Sequence, residues 1–286
     1  MTCIANEPPT TWVAHIRVAT LILSLGATTP SSAQSPESPA PSTIPANYRL
    51  VWADEFNADG HPDPAKWAHD TGRNKVGWHN NELQYYAGPR LENARVQGGK
   101  LLITAKKEDM RQAADWGGQR YTAARLLTAG KAQWTYGYFE VRAKLPCGKG
   151  TWPAIWLLGS GGHWPNDGEL DIMEHQGHRP TRVSSAVHMA AGHGGHAVGG
   201  ATQISDACTV FHNYQLHWTP EKLHFSIDGV VHFHYPNMKL GVTSWPFDKP
   251  QYLILNIAIG GDLGGPVDDN ALPVTMEVDY VRVYQK

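Results

Sequence analysis

The sequence predicts an all-β fold, a sandwich or jelly roll, and three observations carry that prediction. From residue 48 onward, short apolar stretches alternate with turn residues, and helical periodicity is almost absent. Asp228-Gly229 stands between two such stretches as a hairpin turn. The run Leu253-Ile254-Leu255-Asn256-Ile257-Ala258-Ile259 is apolar on both faces except at Asn256, as a strand in the middle of a sheet would be, and that polar group must find a buried partner or line a cleft. No linker interrupts the chain after residue 48, so one domain spanning 47–286 is expected.

The strands follow in order. Residues 48–56 open the first. Residues 92–106 read as a hairpin closed at Gly98-Gly99, where left-handed backbone is tolerated. Aromatic and β-branched residues mark further strands at 123–127, 137–145, 151–158, 169–175 and 183–189. The remainder fall at 213–218, 222–227, 230–235, 252–259 and 274–284. The 29 glycines gather at many of these boundaries, which favours tight connections over helical crossovers.

The N-terminal residues read differently. Arg17 precedes the apolar run of residues 18–27, and Ser31-Ser32-Ala33 offers a signal-peptidase site. Residues 1–33 are therefore expected to be a signal peptide, although the stretch before the apolar run is long for one and carries Glu7. Residues 34–46 are a Pro/Ser-rich linker with nothing to bury. The apolar run is too short for a membrane span, so a secreted or periplasmic protein is expected.

Net charge is −2 and 17% of residues are charged, which leaves no electrostatic handle on nucleic acid or acidic membranes. With 11 Trp and 11 Tyr, the chain suits a partner bound by stacking and hydrogen bonding, as a neutral sugar is. No partner-binding surface is visible and a monomer is expected. Outside the leader, Cys147 and Cys208 could pair in an oxidising compartment, and the sequence leaves that open.

The segment Gly168-Glu169-Leu170-Asp171-Ile172-Met173-Glu174-His175 carries the chemistry. Side chains alternate along a strand, so Glu169 and Asp171 share one face while Leu170 takes the other. Glu174 lies at an odd offset from Glu169 and would face away. One extra residue, inserted as a β-bulge at Ile172-Met173, returns it to the same face. Two glutamates then flank one site, as a retaining glycosidase requires. Glu169 is assigned as nucleophile, Glu174 as acid/base and Asp171 as the group that tunes Glu169. Carboxylates also bind calcium, but the apolar and aromatic flanks here are unlike a calcium loop.

The motifs Trp152-Pro153-Ala154-Ile155-Trp156-Leu157-Leu158-Gly159, Trp164-Pro165 and Glu169-Leu170-Asp171-Ile172-Met173-Glu174 together resemble glycoside hydrolase family sixteen. The similarity is greatest to its laminarinase (endo-1,3-β-glucanase) branch. Asn80-Asn81-Glu82-Leu83-Gln84-Tyr85-Tyr86, Tyr136-Gly137-Tyr138-Phe139-Glu140 and the closing Val278-Asp279-Tyr280-Val281-Arg282-Val283-Tyr284 add to it, across residues 48–286.

The resemblance implies a jelly-roll β-sandwich of two antiparallel sheets with a concave substrate cleft. It implies retaining endo-hydrolysis of β-1,3-glucosidic bonds in laminarin-like or mixed-linkage β-glucans, and no cofactor for catalysis. Trp152, Trp156 and Trp164 are candidate sugar platforms, with core filling the competing reading for Trp156. Asn81, Arg125, His188 and Asn256 are candidate substrate contacts, although Arg125 could instead pair with an acid inside the sheet.

After His188 the chain departs from the Gly-Pro that commonly follows in the family, so the Gly-rich loop 191–201 is the least defined part of the cleft. His188, His193 and His196 sit in a Gly-rich stretch and His232 and His234 on one strand. Both groups read as solvated histidines rather than a transition-metal site. The resemblance also implies a structural calcium held by Glu55, Gly99 and Asp279. Two alternatives remain. One is the same chemistry, or transglycosylation, on agar, carrageenan or xyloglucan. The other is a lectin on the same scaffold, for which the acid triplet would be superfluous.

Overall fold

A computed structural model describes residues 44–286. The predicted signal peptide and residues 34–43 of the linker lie outside the described residues.

Strands β1 (Arg49–Asp54), β2 (Ala68–His69), β3 (Gln84–Tyr86), β4 (Ala94–Val96), β5 (Leu101–Lys107) and β6 (Tyr121–Ala123) come first. They are followed by β7 (Arg125–Leu127), β8 (Gly137–Lys144), β9 (Thr151–Gly159), β10 (Glu169–His175), β11 (Arg182–His188) and β12 (Val198–Gln203). The last are β13 (His212–Trp218), β14 (Lys222–Ile227), β15 (Val230–Pro236), β16 (Gln251–Ile259) and β17 (Val274–Gln285). One sheet runs β15-β14-β13-β8-β17-β5-β6-β3, with β1 on β17 and β4 on β5; the other runs β12-β11-β10-β9-β16-β7-β2. The result is a jelly-roll sandwich, as predicted. Its pairs are antiparallel except β3 with β6, which run parallel.

The core lies between the sheets, and period-two alternation fills it. From β9 come Ile155 and Leu157, from β10 Leu170, from β16 Leu255 and Ile257, all shielded from solvent. Phe139, Val141, Leu216 and Trp218 meet them from the other sheet. The alternate residues of β9 and β16, Trp152, Ala154, Trp156, Leu158, Asn256 and Ala258, line a cleft on the opposite face. Asp228 and Gly229 both adopt positive φ (49° and 81°), the geometry of the hairpin turn predicted there.

Three expectations need correction or completion. The Gly-rich stretch read as loop is partly strand, because β12 pairs with β11 along residues 198–203. Its glycines are required by crowding: a Cβ on Gly199 would sit 2.6 Å from the Ser185 carbonyl, and one on Gly200 2.7 Å from Phe233. Cys147 and Cys208 are joined as a disulfide, with Cα atoms 5.7 Å apart, closing the question the sequence left open.

The residues offered for calcium do not fit a cation as they stand. Both nitrogens of a guanidinium fork, from Arg282, hold the Glu55 carboxylate at 2.8 Å, while Asp279 is held by Arg142 at 2.6 Å. The arginine holds Glu55 below the usual carboxylate range. Each acid is thus already neutralised by its own partner, and no step below uses a metal.

Candidate active site

The bulge predicted in β10 is present. Against β11 the register slips between Asp171 and Glu174, and against β9 between Asp171 and Met173. Ile172 and Met173 are both buried, so two apolar residues are absorbed while the acids stay on one wall. Glu169, Asp171 and Glu174 accordingly line a single cleft of about 550 Å³.

Each glutamate is held by an indole. Trp164 Nε1 donates to Glu169 Oε2 at 2.6 Å, and Trp152 Nε1 donates to Glu174 Oε1 at 3.0 Å. Trp164 is 48% exposed, so its ring faces solvent while its N–H holds the Glu169 carboxyl. Trp156 also lies in the cleft, not the core: its Nε1 donates to Asn256 Oδ1 at 2.7 Å. Asn256 in turn donates to the Tyr86 hydroxyl at 2.9 Å, which answers the polar group in an apolar strand.

Arg125 is ion-paired with an acid and also lines the cleft. It pairs with Asp70 at 3.0 Å, and its guanidinium stacks over Trp156 (4.7 Å) and Trp78 (5.2 Å) on the cleft wall.

His188 sits among the acids. Its Nε2 is 3.1 Å from Asp171 Oδ2, an oxygen otherwise without a partner, and 3.9 Å from Glu169 Oε1. The backbone N–H of Gly194 donates to His188 Nδ1 at 3.1 Å, so Nδ1 bears the lone pair and the ring proton is on Nε2, facing Asp171. His188 is therefore not the solvated loop histidine expected. His193 packs edge-on against Trp164, with ring centres 5.2 Å apart.

Asn81 is a correction. Its amide turns to Asp262 Oδ1 at 2.7 Å, and its neighbours Asn80 and Glu82 line the cleft instead. Asn80 and Asn81 both have positive φ, so the backbone leaves the strand region there.

Comparison with known proteins agrees with this geometry. The family described as Glycosyl hydrolases family 16 matches residues 84–282. A "Beta-glucanase" of Rhodothermus marinus is 48% identical over 254 residues, covering 84% of this chain and 86% of its own. This chain belongs to glycosyl hydrolase family 16. Among solved structures, SCLam, a non-specific endo-β-1,3(4)-glucanase, is similar at 52% identity and TM-score 0.84, over 86% of this chain and 94% of its own. The laminarinase from Rhodothermus marinus is similar at 47% identity and TM-score 0.78, over 83% and 97%.

In this family 16 chain the electrostatics of the acids follow from burial. Desolvation, then the neighbouring Asp171 charge, pushes Glu169 up to about 8. Burial, then the Glu174 charge, raises Asp171 well above the carboxylate range. Burial raises Glu174 too, against the pull of the Trp152 indole. Carboxyls this close titrate as one set that keeps protons into the neutral range, and hydrogen bonds decide where the protons sit. Asp171 and Glu169 share a hydrogen bond, which needs one proton between them. The shared proton favours the Asp171 anion, while the Trp164 indole favours that of Glu169.

The cleft also includes Asp70, Arg73, Trp78, His79 and Glu82, which sequence reasoning passed over. Trp78 lies in irregular chain, where no periodicity announces a facing.

Replacing Trp164 by phenylalanine keeps a ring but removes the donor to Glu169. Glu169 should then ionise at higher pH, and the acidic limb of the kcat/KM profile should move up. A drop of about 10- to 100-fold is expected below the limb, the range of one hydrogen bond to a charged group. An unmoved limb would remove the indole from this role.

Proposed function

We propose that this chain is an exported, retaining endo-β-1,3-glucanase acting on laminarin-like or mixed-linkage β-glucans. One observation carries the reading: the bulge at Ile172-Met173 sets Glu169 and Glu174 on one cleft wall, with Asp171 between them.

Glu169 attacks the anomeric carbon as the glycosidic C–O bond breaks, and Glu174 gives its proton to the departing oxygen. A glycosyl ester on Glu169 results. Glu174, now ionised, takes a proton from water; that water attacks the same carbon and expels Glu169, with net retention. Asp171, held by His188, shares a proton with Glu169 in the free site. Trp164 and Trp156 supply apolar ring surface for sugars, with Arg125 over one face of Trp156 and Asn256 at its N–H.

A neutral polymer fits better than a sulfated galactan. The cleft carries Asp70, Glu82, Glu169, Asp171 and Glu174 against Arg73 and Arg125, and Arg125 is already paired with Asp70. A polyanion would meet repulsion there. Among the described residues no helix is long and apolar enough to cross a membrane.

The test is a reducing-sugar assay on laminarin, lichenan, agarose and carrageenan in parallel. Activity on laminarin and lichenan is expected. Activity on agarose or carrageenan without laminarin would overturn the substrate.

A further inference from the structure

At the far end of the catalytic strand, one residue beyond Glu174, lies a second cluster that the hydrolytic chemistry does not use. His175 is fully buried, and one donor atom from each of Cys147, His175 and Cys208 lies within 4.8 Å of the others. We propose that these three residues form, when the disulfide is reduced, a binding site for a thiophilic d10 cation of the Zn²⁺ or Cu⁺ class. Metal and disulfide are then mutually exclusive states of the same two sulfurs.

The histidine is prepared as a ligand. Its Nε2 is 3.1 Å from the Pro180 carbonyl, and a carbonyl only accepts, so the ring proton is on Nε2. Nδ1 therefore bears a lone pair, and that buried atom has no partner. A ligating histidine usually donates its other N–H to a carbonyl or carboxylate in this way. The Cys208 sulfur lies 3.7 Å from the same Pro180 carbonyl, so one backbone group fixes both residues.

The surroundings are tightly built. A Cβ on Gly177, two residues after His175, would collide with the Gly148 carbonyl, one residue after Cys147. Gly148 N–H donates to Gly177 O at 3.4 Å and Gly177 N–H to Thr151 O at 2.9 Å. This frame holds His175 and Cys147 side by side whether or not the sulfurs are bonded. Both cysteines are half-buried, which leaves a path from solvent through the sulfurs to the ring. Two thiolates and an imidazole are three of the four ligands of a tetrahedral zinc site, and soft sulfur selects Zn²⁺ or Cu⁺ over Ca²⁺ or Mg²⁺. The sulfurs need only separate to about 3.8 Å, the spacing of two thiolates on one zinc.

The redox step balances with a phosphine as reductant. Its electron pair breaks the S–S bond, water supplies the oxygen of the phosphine oxide, and the two protons from water leave two thiols. Metal binding then releases thiol protons to solvent.

The experiment uses the whole chain, reduced with a phosphine, freed of it without air, and titrated with Co²⁺ as a spectroscopic probe and then Zn²⁺. Expected is stoichiometric uptake by the reduced chain, with thiolate-to-cobalt charge transfer, tetrahedral ligand-field bands and displacement by Zn²⁺. The oxidised chain should take up none. Replacing both Cys147 and Cys208 with serine should abolish binding, and His175→Gln should weaken it at least about tenfold.

No uptake by the reduced chain, equal uptake by the oxidised chain, or an unchanged affinity in His175→Gln would overturn the proposal. Should His175→Gln fail to fold, X-ray absorption of the Zn²⁺-loaded wild type replaces it. Imidazole scattering supports the site, and a shell without it overturns the site.

Discussion

Replacing Glu169 by serine is expected to lower kcat on laminarin by about 10⁴-fold or more while oligosaccharide binding survives. The same change should raise thermal stability, and more so with rising pH. The carboxyl of Glu169 is pushed from its ordinary value of 4.5 to about 8 by burial and the Asp171 charge. Between those values the unfolded chain has lost the proton that the folded chain keeps. Folding is then opposed increasingly as pH rises, and the opposition is fully present above about 8. Serine carries no such charge, so the gain over wild type should be small near pH 4.5 and largest above about pH 8. Each kcal/mol relieved amounts to about 2–4 °C in a domain of this size. Thermal melts of both proteins at several pH values check it. Parallel Tm profiles would mean that Glu169 is not the strained charge proposed.

The second large effect separates the two glutamates. Glu174→Gln keeps the hydrogen bond from Trp152 but cannot deliver a proton to a departing sugar. On glucan, kcat should fall by about 10²–10⁴-fold, the usual range for losing a general acid. On an aryl β-glucoside of matched length, the phenolate leaves without help. Glycosylation should then remain fast, giving a burst of phenol followed by slow release. A small anion such as azide, which needs no general base, should speed that release. Equal losses on both substrates, without a burst, would take the proton-donor role away from Glu174.

Much of this was legible from alternation alone. In β9, β10 and β16 a period of two separates Ile155, Leu157 and Leu255, which are buried, from Trp156, Asp171 and Asn256, which line the cleft. The bulge was legible because Glu169 and Glu174 have an odd offset and both need the cleft. Where the backbone leaves the strand region, pattern reading fails: the positive φ values of Asn80 and Asn81 turn Asn81 to Asp262 and bring Asn80 and Glu82 to the wall. β12 was misread because Gly199 and Gly200 look like loop residues. They are there because Ser185 and Phe233 leave no room for a side chain. The disulfide depends on two remote loops meeting, which sequence separation does not reveal.

The contact from Gly194 to His188 has an evolutionary consequence. A main-chain amide, not a side chain, fixes the imidazole next to the catalytic acids. With φ at 55°, position 194 tolerates few residues, and proline would both clash and lack the hydrogen. Its exposed neighbours Gly195 and His196 carry no such duty. Mutation can therefore explore new side chains at 195 and 196 while the imidazole beside the acids stays fixed.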